Sequence, residues 1–280
     1  MIAPARPSST VVLLRPARAT IETFLVRRHD TIAFMGGAHV FPGGKVDDTD
    51  RAADTAAHCD GLDKAVARMP AVERSTAIAY HVAAVRELFE EAGVLLARDV
   101  NGGMVSVADE QLDLHRHRLI EGTTTLAAMA ASERVRLALD ELELFAHWVT
   151  PDGEPRRFDT RFFLAAAPAA QEAAHHAHEA SDGTWLSPGD ALERCARGEI
   201  VLPPPTWITL RALSRCTTID AAFAWARASP VPRIQPRVVE SGRTRLIVLP
   251  GDPMYPAVAG FDAVETRFVL EQGRWRSVAP

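Results

Sequence analysis

Arg86-Glu87-Leu88-Phe89-Glu90-Glu91-Ala92-Gly93-Val94 is the stretch that decides the fold. Glu87, Glu90 and Glu91 stand at i, i+3 and i+4, which on a helix places three carboxylates on one face within mutual reach. Like charges at that spacing weaken a helix, so a purely structural role explains them poorly. A hard divalent cation with oxygen ligands would neutralise them. Solvated glutamate-rich faces are common, and the three glutamates alone do not exclude one. The context shifts the balance: Gly93 ends the helix, Val94 continues apolar, and a Gly43-Gly44 turn lies upstream. Arg86 stands beside the acidic face, where it can pair with a carboxylate and fix its rotamer.

Working outward, the spacing predicts a helix capped by Ser75 or Thr76 and running to Ala92, with Ile78, Val82, Val85 and Leu88 on its core face. Upstream, Thr10–Leu14 and Ile21–Arg27 read as a strand hairpin, followed by a glycine-rich segment from Phe34 to Gly44. An Asp-, Ala- and Arg-rich segment from Asp47 to Val72 contains a short helix near Leu62–Arg68. Downstream, residues 107–140 read as helical, with turns near Gly122 and Ser132. Strands are expected at Glu143–Thr150, Thr160–Ala167 and Gly183–Leu186. Helices follow at Pro188–Arg197 (capped by Ser187), from Pro203-Pro204-Pro205 to Arg215, and at Thr218–Ala228. The tail offers strand pieces at Thr244–Leu249 and Glu265–Leu270.

The 280 residues are 47% hydrophobic, enough for a buried core without staples. Cys59, Cys195 and Cys216 form no Cys-x-x-Cys pair, which argues against a zinc ribbon or disulfide framework and for a reducing, cytoplasmic setting. A net charge of -5 gives no reason to expect nucleic acid or an anionic membrane as partner. No apolar run approaches the length of a membrane span. Neither a Walker loop nor a Gly-x-Gly-x-x-Gly unit is present.

Residues 86–94 match, at every fixed position, the second half of the box of the Nudix hydrolases, Arg-Glu-apolar-x-Glu-Glu-x-Gly-apolar. Gly44 resembles the glycine that opens that box, and Asp50 stands six residues on, where the family usually has glutamate. Arg86 then follows far later than in the common pattern, so the box is interrupted by a long insertion. The chain is similar in this to the branch of peroxisomal coenzyme A and acyl-CoA diphosphatases. Phe34–Phe41, Asp47–Asp54, Trp148–Pro151 and Arg157–Phe163 also look like that branch, so the resemblance spans roughly residues 8–215.

The resemblance implies that Glu87, Glu90 and Glu91 hold Mg²⁺ or Mn²⁺, with the carbonyl near Gly44 completing the site and Arg86 orienting the ligands. Such ions bridge a substrate diphosphate and activate the attacking water. It further implies a general base in a loop before a late strand, where Glu179 fits and Glu172 is a second candidate. An arginine that coenzyme A-hydrolysing relatives carry upstream of the Gly-Gly turn is Ala33 here, which weighs against coenzyme A itself.

Arg27, Arg28 and His39 are candidates for gripping substrate phosphates; alternation along a strand lets at most one of the two arginines face the site. His175-His176-Ala177-His178 reads as a solvated loop rather than a zinc site. Trp148 and Trp207 read as packing residues.

The expected architecture is an α/β/α sandwich of the Nudix kind with a mixed sheet. Residues 1–215 would form the hydrolase domain, with an insertion at about 51–75, and 216–280 an extension packed on it. The expected function is hydrolysis of a diphosphate linkage in a nucleoside diphosphate derivative, coenzyme A or acyl-CoA among the candidates. A small-molecule substrate is the only partner expected, with room left for a homodimer. The rivals are an ADP-ribose or NADH pyrophosphatase, and a non-catalytic Nudix-fold module that binds a nucleotide.

Overall fold

The computed structural model describes residues 2–30, 36–106, 110–173, 180–241, 244–256, 265–271 and 274–279. Its frame is set by the run Val11-Val12-Leu13-Leu14, every residue of which is fully buried. Alternate side chains of a strand point to opposite faces, so both faces of this one must be covered. Val11 and Leu13 belong to one apolar cluster and Val12 and Leu14 to another, on the two sides of the sheet.

The chain begins with β1 (Ala5–Pro16) and β2 (Ile21–Arg28), then the short β3 (His39–Val40) and β4 (Gly43–Lys45). A 3-10 turn at Asp48–Arg51 leads to α1 (Ala53–Ala57), β5 (Cys59–Asp60), α2 (Leu62–Ala67) and the long α3 (Arg74–Ala92). Next come β6 (Ala97–Arg98), α4 (Glu110–Ile120), α5 (Leu126–Glu133), β7 (Arg136–Ala138), β8 (Glu143–Val149) and β9 (Arg157–Ala166). β10 (Ala180–Leu186) precedes α6 (Pro188–Ala196), α7 (Pro204–Leu213) and α8 (Ile219–Ala228). The chain ends with β11 (Arg233–Ile234), β12 (Arg237–Ser241), β13 (Thr244–Val248), β14 (Arg267–Glu271) and β15 (Arg274–Val278).

The main sheet is mixed, in the order β10-β2-β1-β9-β8-β11, with β3 added on β2 and β4 on β1. β1 runs parallel to β9 and antiparallel to β2, the expected hairpin. A second sheet, β12-β13-β14-β15, is antiparallel throughout. Its Ile247 and Phe268 sit in the same cluster as Val12, Leu14 and Leu210, and Trp207 of α7 meets Phe268 edge-on at 5.5 Å.

α3 is buried on nearly every side because the sheet, α2 and α4 all pack on it. Gly93 ends it in the left-handed region at φ 68°, its N–H donating to the Phe89 carbonyl at 2.9 Å. The start differs from expectation. Helix geometry begins at Arg74 with Glu73 as cap, because the Ser75 hydroxyl is engaged by the Glu73 carboxylate at 2.7 Å instead of capping. The helical reading of 107–140 is likewise shortened: α5 stops at Glu133, Arg134 turns at φ 55°, and Arg136–Ala138 becomes a strand between β5 and β6. Ser187 caps α6 through its side chain, as its position predicts, and Thr218 caps α8 in the same way.

Candidate active site

Two glycines let the acidic end of α3 approach the sheet. A Cβ on Gly44 would lie 2.4 Å from Glu87 Oε1, and one on Gly43 2.3 Å from the Ser9 carbonyl oxygen. At Gly43 only bare backbone fits, and at Gly44 a side chain would have to push the Glu87 carboxylate aside. The Gly43 N–H donates to Glu91 Oε2 at 2.8 Å, and Ser8 Oγ donates to the Gly44 carbonyl at 2.7 Å. β4 and the end of α3 are thereby tied together.

Arg86 organises the rest. Its Nη1 donates to Glu87 Oε1 at 3.0 Å and to Glu90 Oε2 at 3.1 Å. Nε and Nη2 grip Asp50 at 3.0 and 2.9 Å, and Nη2 also reaches the Lys45 carbonyl at 2.7 Å. Asp50 is only 2% exposed, and its own backbone turn is held by a bond from the Asp47 N–H to Oδ2. Burial alone would ease the proton off Arg86; the Asp50 bonds and the charges of Glu87, Asp50 and Glu90 outweigh it and hold the guanidinium more firmly protonated than usual. Asp50, a shortened substitute by sequence, turns out to be the arginine's main anchor.

Glu87, Glu90, Glu91, Gly43 and Gly44 line a cavity of about 980 Å³. Lys45, Asp47, Asp48 and Arg28 line it too. Among the described residues no three carboxylate, imidazole or thiol groups are already gathered as a coordination shell. Each glutamate here has a partner of its own. The donor set still fits a hard divalent cation, since carboxylates and the Gly44 carbonyl are all oxygen. A diphosphate placed beside five carboxylates would be repelled without such a cation.

The phosphate-binding candidates separate. Arg28 lines the cavity, and its Nε is buried with no hydrogen-bond partner among the described residues. Arg27 alternates to the other side of the strand, bonding Asp30 at 2.8 and 2.9 Å. His39 pairs opposite Arg27 in β3, off the cavity, and burial, with the Arg27 charge, lowers its pKa. Glu179 and the histidines His175, His176 and His178 lie outside the described residues; Glu172 is exposed. Trp148 packs at 4% exposure but also lines the cavity, a role its sequence position did not signal. Ser8, Lys45, Pro236 and Ile247 are further lining residues that sequence reasoning missed.

Mixed sheet, covering helices and an arginine-ordered glutamate set together describe a hydrolase of phosphorus anhydrides. The family model for the NUDT19 Nudix domain matches residues 70–213. The human acyl-coenzyme A diphosphatase NUDT19 is 29% identical over 288 residues, covering 90% of this chain and 77% of the relative. The Gallus gallus acyl-coenzyme A diphosphatase NUDT19 is 28% identical over 276 residues, 84% of this chain and 73% of that one. A crystal structure of a NUDIX hydrolase from Alicyclobacillus acidocaldarius superposes with a TM-score of 0.68 at 30% identity, covering 79% of this chain and 96% of that one. This chain belongs to the Nudix hydrolase family and is an enzyme that hydrolyses diphosphate linkages. Among the described residues no helix is long and apolar enough to cross a membrane.

Proposed function

We propose that the enzyme cleaves the diphosphate of acyl-coenzyme A species, using Mg²⁺ or Mn²⁺ held by Glu87, Glu90, Glu91 and the Gly44 carbonyl. The observation that carries this reading is that those four residues line one cavity, with the glutamates fixed by Arg86 and the Gly43 N–H. Its likeness to two relatives named acyl-coenzyme A diphosphatases supports the choice of substrate. When bound, the divalent cation supplies charge neutralisation and Lewis-acid polarisation of the diphosphate.

The chain's own residues do the remaining work. Arg86 holds Glu87 and Glu90 in fixed rotamers so that little reorganisation is needed during reaction. Arg28 offers a buried Nε–H without a partner among the described residues, and an anionic oxygen of the substrate satisfies it. Trp148, Phe158 and Phe162 exclude water from the cavity's other side.

Phosphate-ester products are to be followed with acyl-CoA, coenzyme A, ADP-ribose and NADH, in Mg²⁺ and in Mn²⁺. Acyl-CoA is expected to give the highest kcat/KM, with adenosine 3′,5′-bisphosphate and an acyl-phosphopantetheine as products. A clear preference for ADP-ribose or NADH would overturn the substrate reading.

A further inference from the structure

The cavity lining extends beyond the carboxylates, and Lys45, Ser8, Thr160 and Trp148 of it share one row across the main sheet. Lys45 on β4 lies opposite Ser8 on β1, Ser8 beside Thr160 on β9, Thr160 opposite Trp148 on β8, and Trp148 beside Ile234 on β11. These five residues form one row across five strands, about 19 Å from first to last at the usual strand spacing of roughly 4.8 Å. The row changes character along its length, from lysine and serine through threonine to tryptophan and isoleucine. Pro236, two residues past Ile234, and Ile247 of β13 line the cavity at that end. Both come from the carboxyl-terminal segment, beyond the residues the family model matches.

One stretch of the cavity wall is poor in hydrogen-bond donors. Pro203, Pro204 and Pro205 face the cavity, and two of them occupy the first positions of α7. A helix start normally offers free N–H groups to an anion, but proline has none. Phe158 and Phe162 add apolar surface from β9. A purine would leave its ring nitrogens and amino group poorly satisfied against such a wall. An aliphatic chain needs no partners and gains from every methylene buried.

We propose that this far end seats an aliphatic chain carried by the substrate beyond its diphosphate, and that Ile247 and Pro236 set the chain length accepted. The inference rests on the diphosphatase reading above and names the acyl tail of a coenzyme A thioester as the occupant. Ile247 and Pro236 are specificity-determining residues, carried by elements other than the helix that bears the glutamates.

The test is a kcat/KM series on acetyl-, hexanoyl-, decanoyl- and tetradecanoyl-CoA for wild type, Ile247→Phe, Ile247→Ala and Pro236→Ala, with a thermal melt of each. In the wild type, kcat/KM should climb by about fourfold per buried methylene until the seat is full. Ile247→Phe should move the optimum to shorter chains and cost about tenfold or more on the longest, with acetyl-CoA within about twofold of wild type. Ile247→Ala should move it toward longer chains. If the Ile247 variants melt early because Ile247 also packs the core, Pro236→Ala carries the test, its optimum moving to longer chains. A flat wild-type profile, or profiles that coincide in folded variants, would overturn the tail seat while leaving the diphosphatase reading intact. Failure to cleave any coenzyme A species, with ADP-ribose or NADH cleaved instead, would overturn both.

Discussion

Arg86 and Asp50, 36 residues apart in sequence, are joined by two parallel hydrogen bonds in a site from which water is almost excluded. The pair bridges the two halves of the divided box, because Asp50 precedes the insertion and Arg86 follows it. Removing the carboxylate leaves a buried guanidinium short of its main partner. Asp50→Ala is expected to cost about 3 kcal/mol or more in urea unfolding and to weaken cation affinity, since Arg86 then relaxes its hold on Glu87 and Glu90. Wild-type stability in that variant would show that the pair is incidental.

Gly44 separates stability from chemistry. A methyl group there meets only the end of the Glu87 side chain, which can swing aside. Gly44→Ala should therefore lower stability by only about 1 kcal/mol, yet lower kcat/KM by about a hundredfold through the displaced carboxylate. Gly43→Ala meets the Ser9 backbone instead, and for it a fall in melting temperature is expected first.

Arg28 bears on substrate binding alone. Losing one charge-assisted bond to an anion is worth about tenfold or more. Arg28→Ala should raise KM by that factor with kcat nearly unchanged, and steady-state kinetics will separate the two.

His81 gives stability a defined pH dependence. It lies in α3 against Phe163, its Nδ1–H donating to the Ala77 carbonyl at 2.9 Å. Burial pushes its pKa down from 6.5 to about 4, although the Ala77 bond opposes the shift. The native imidazole is thus neutral between these values while the unfolded chain takes up a proton. Stability is fully present above about pH 6.5 and falls as pH drops toward 4, by roughly 3 kcal/mol over the window. His81→Gln should flatten that slope in unfolding curves collected from pH 7 to 4.5; an unchanged slope would remove His81 from the account.

Much of this was legible in the sequence. Residues 86–94, with Gly44, pointed to acidic and backbone groups that line the cavity, and alternation in β2 separated Arg28 from Arg27. Elements with strong periodicity or a side-chain cap, such as the β1–β2 hairpin and α6, follow their patterns closely. The strand Arg136–Ala138 was not legible, because three residues carry no period and only β5 and β6 define them. Asp50 looked like a weakened position because side-chain length can be judged only against the arginine it meets. Ile247 gave no sign of lining the cavity, since its strand reads like any other and its neighbours come from residues distant in sequence.

We infer that Glu90 and Glu91 hold a divalent cation in the folded enzyme. Melting temperatures of wild type, Glu90→Gln and Glu91→Gln, each with and without Mg²⁺, test it most directly. At about a hundred times its dissociation constant, a cation bound only by the folded state adds about 2.7 kcal/mol, which should raise the wild-type melting temperature by several degrees. Both variants are expected to lose that rise together with activity. An equal rise in all three proteins, or full activity in the two variants, would contradict the account.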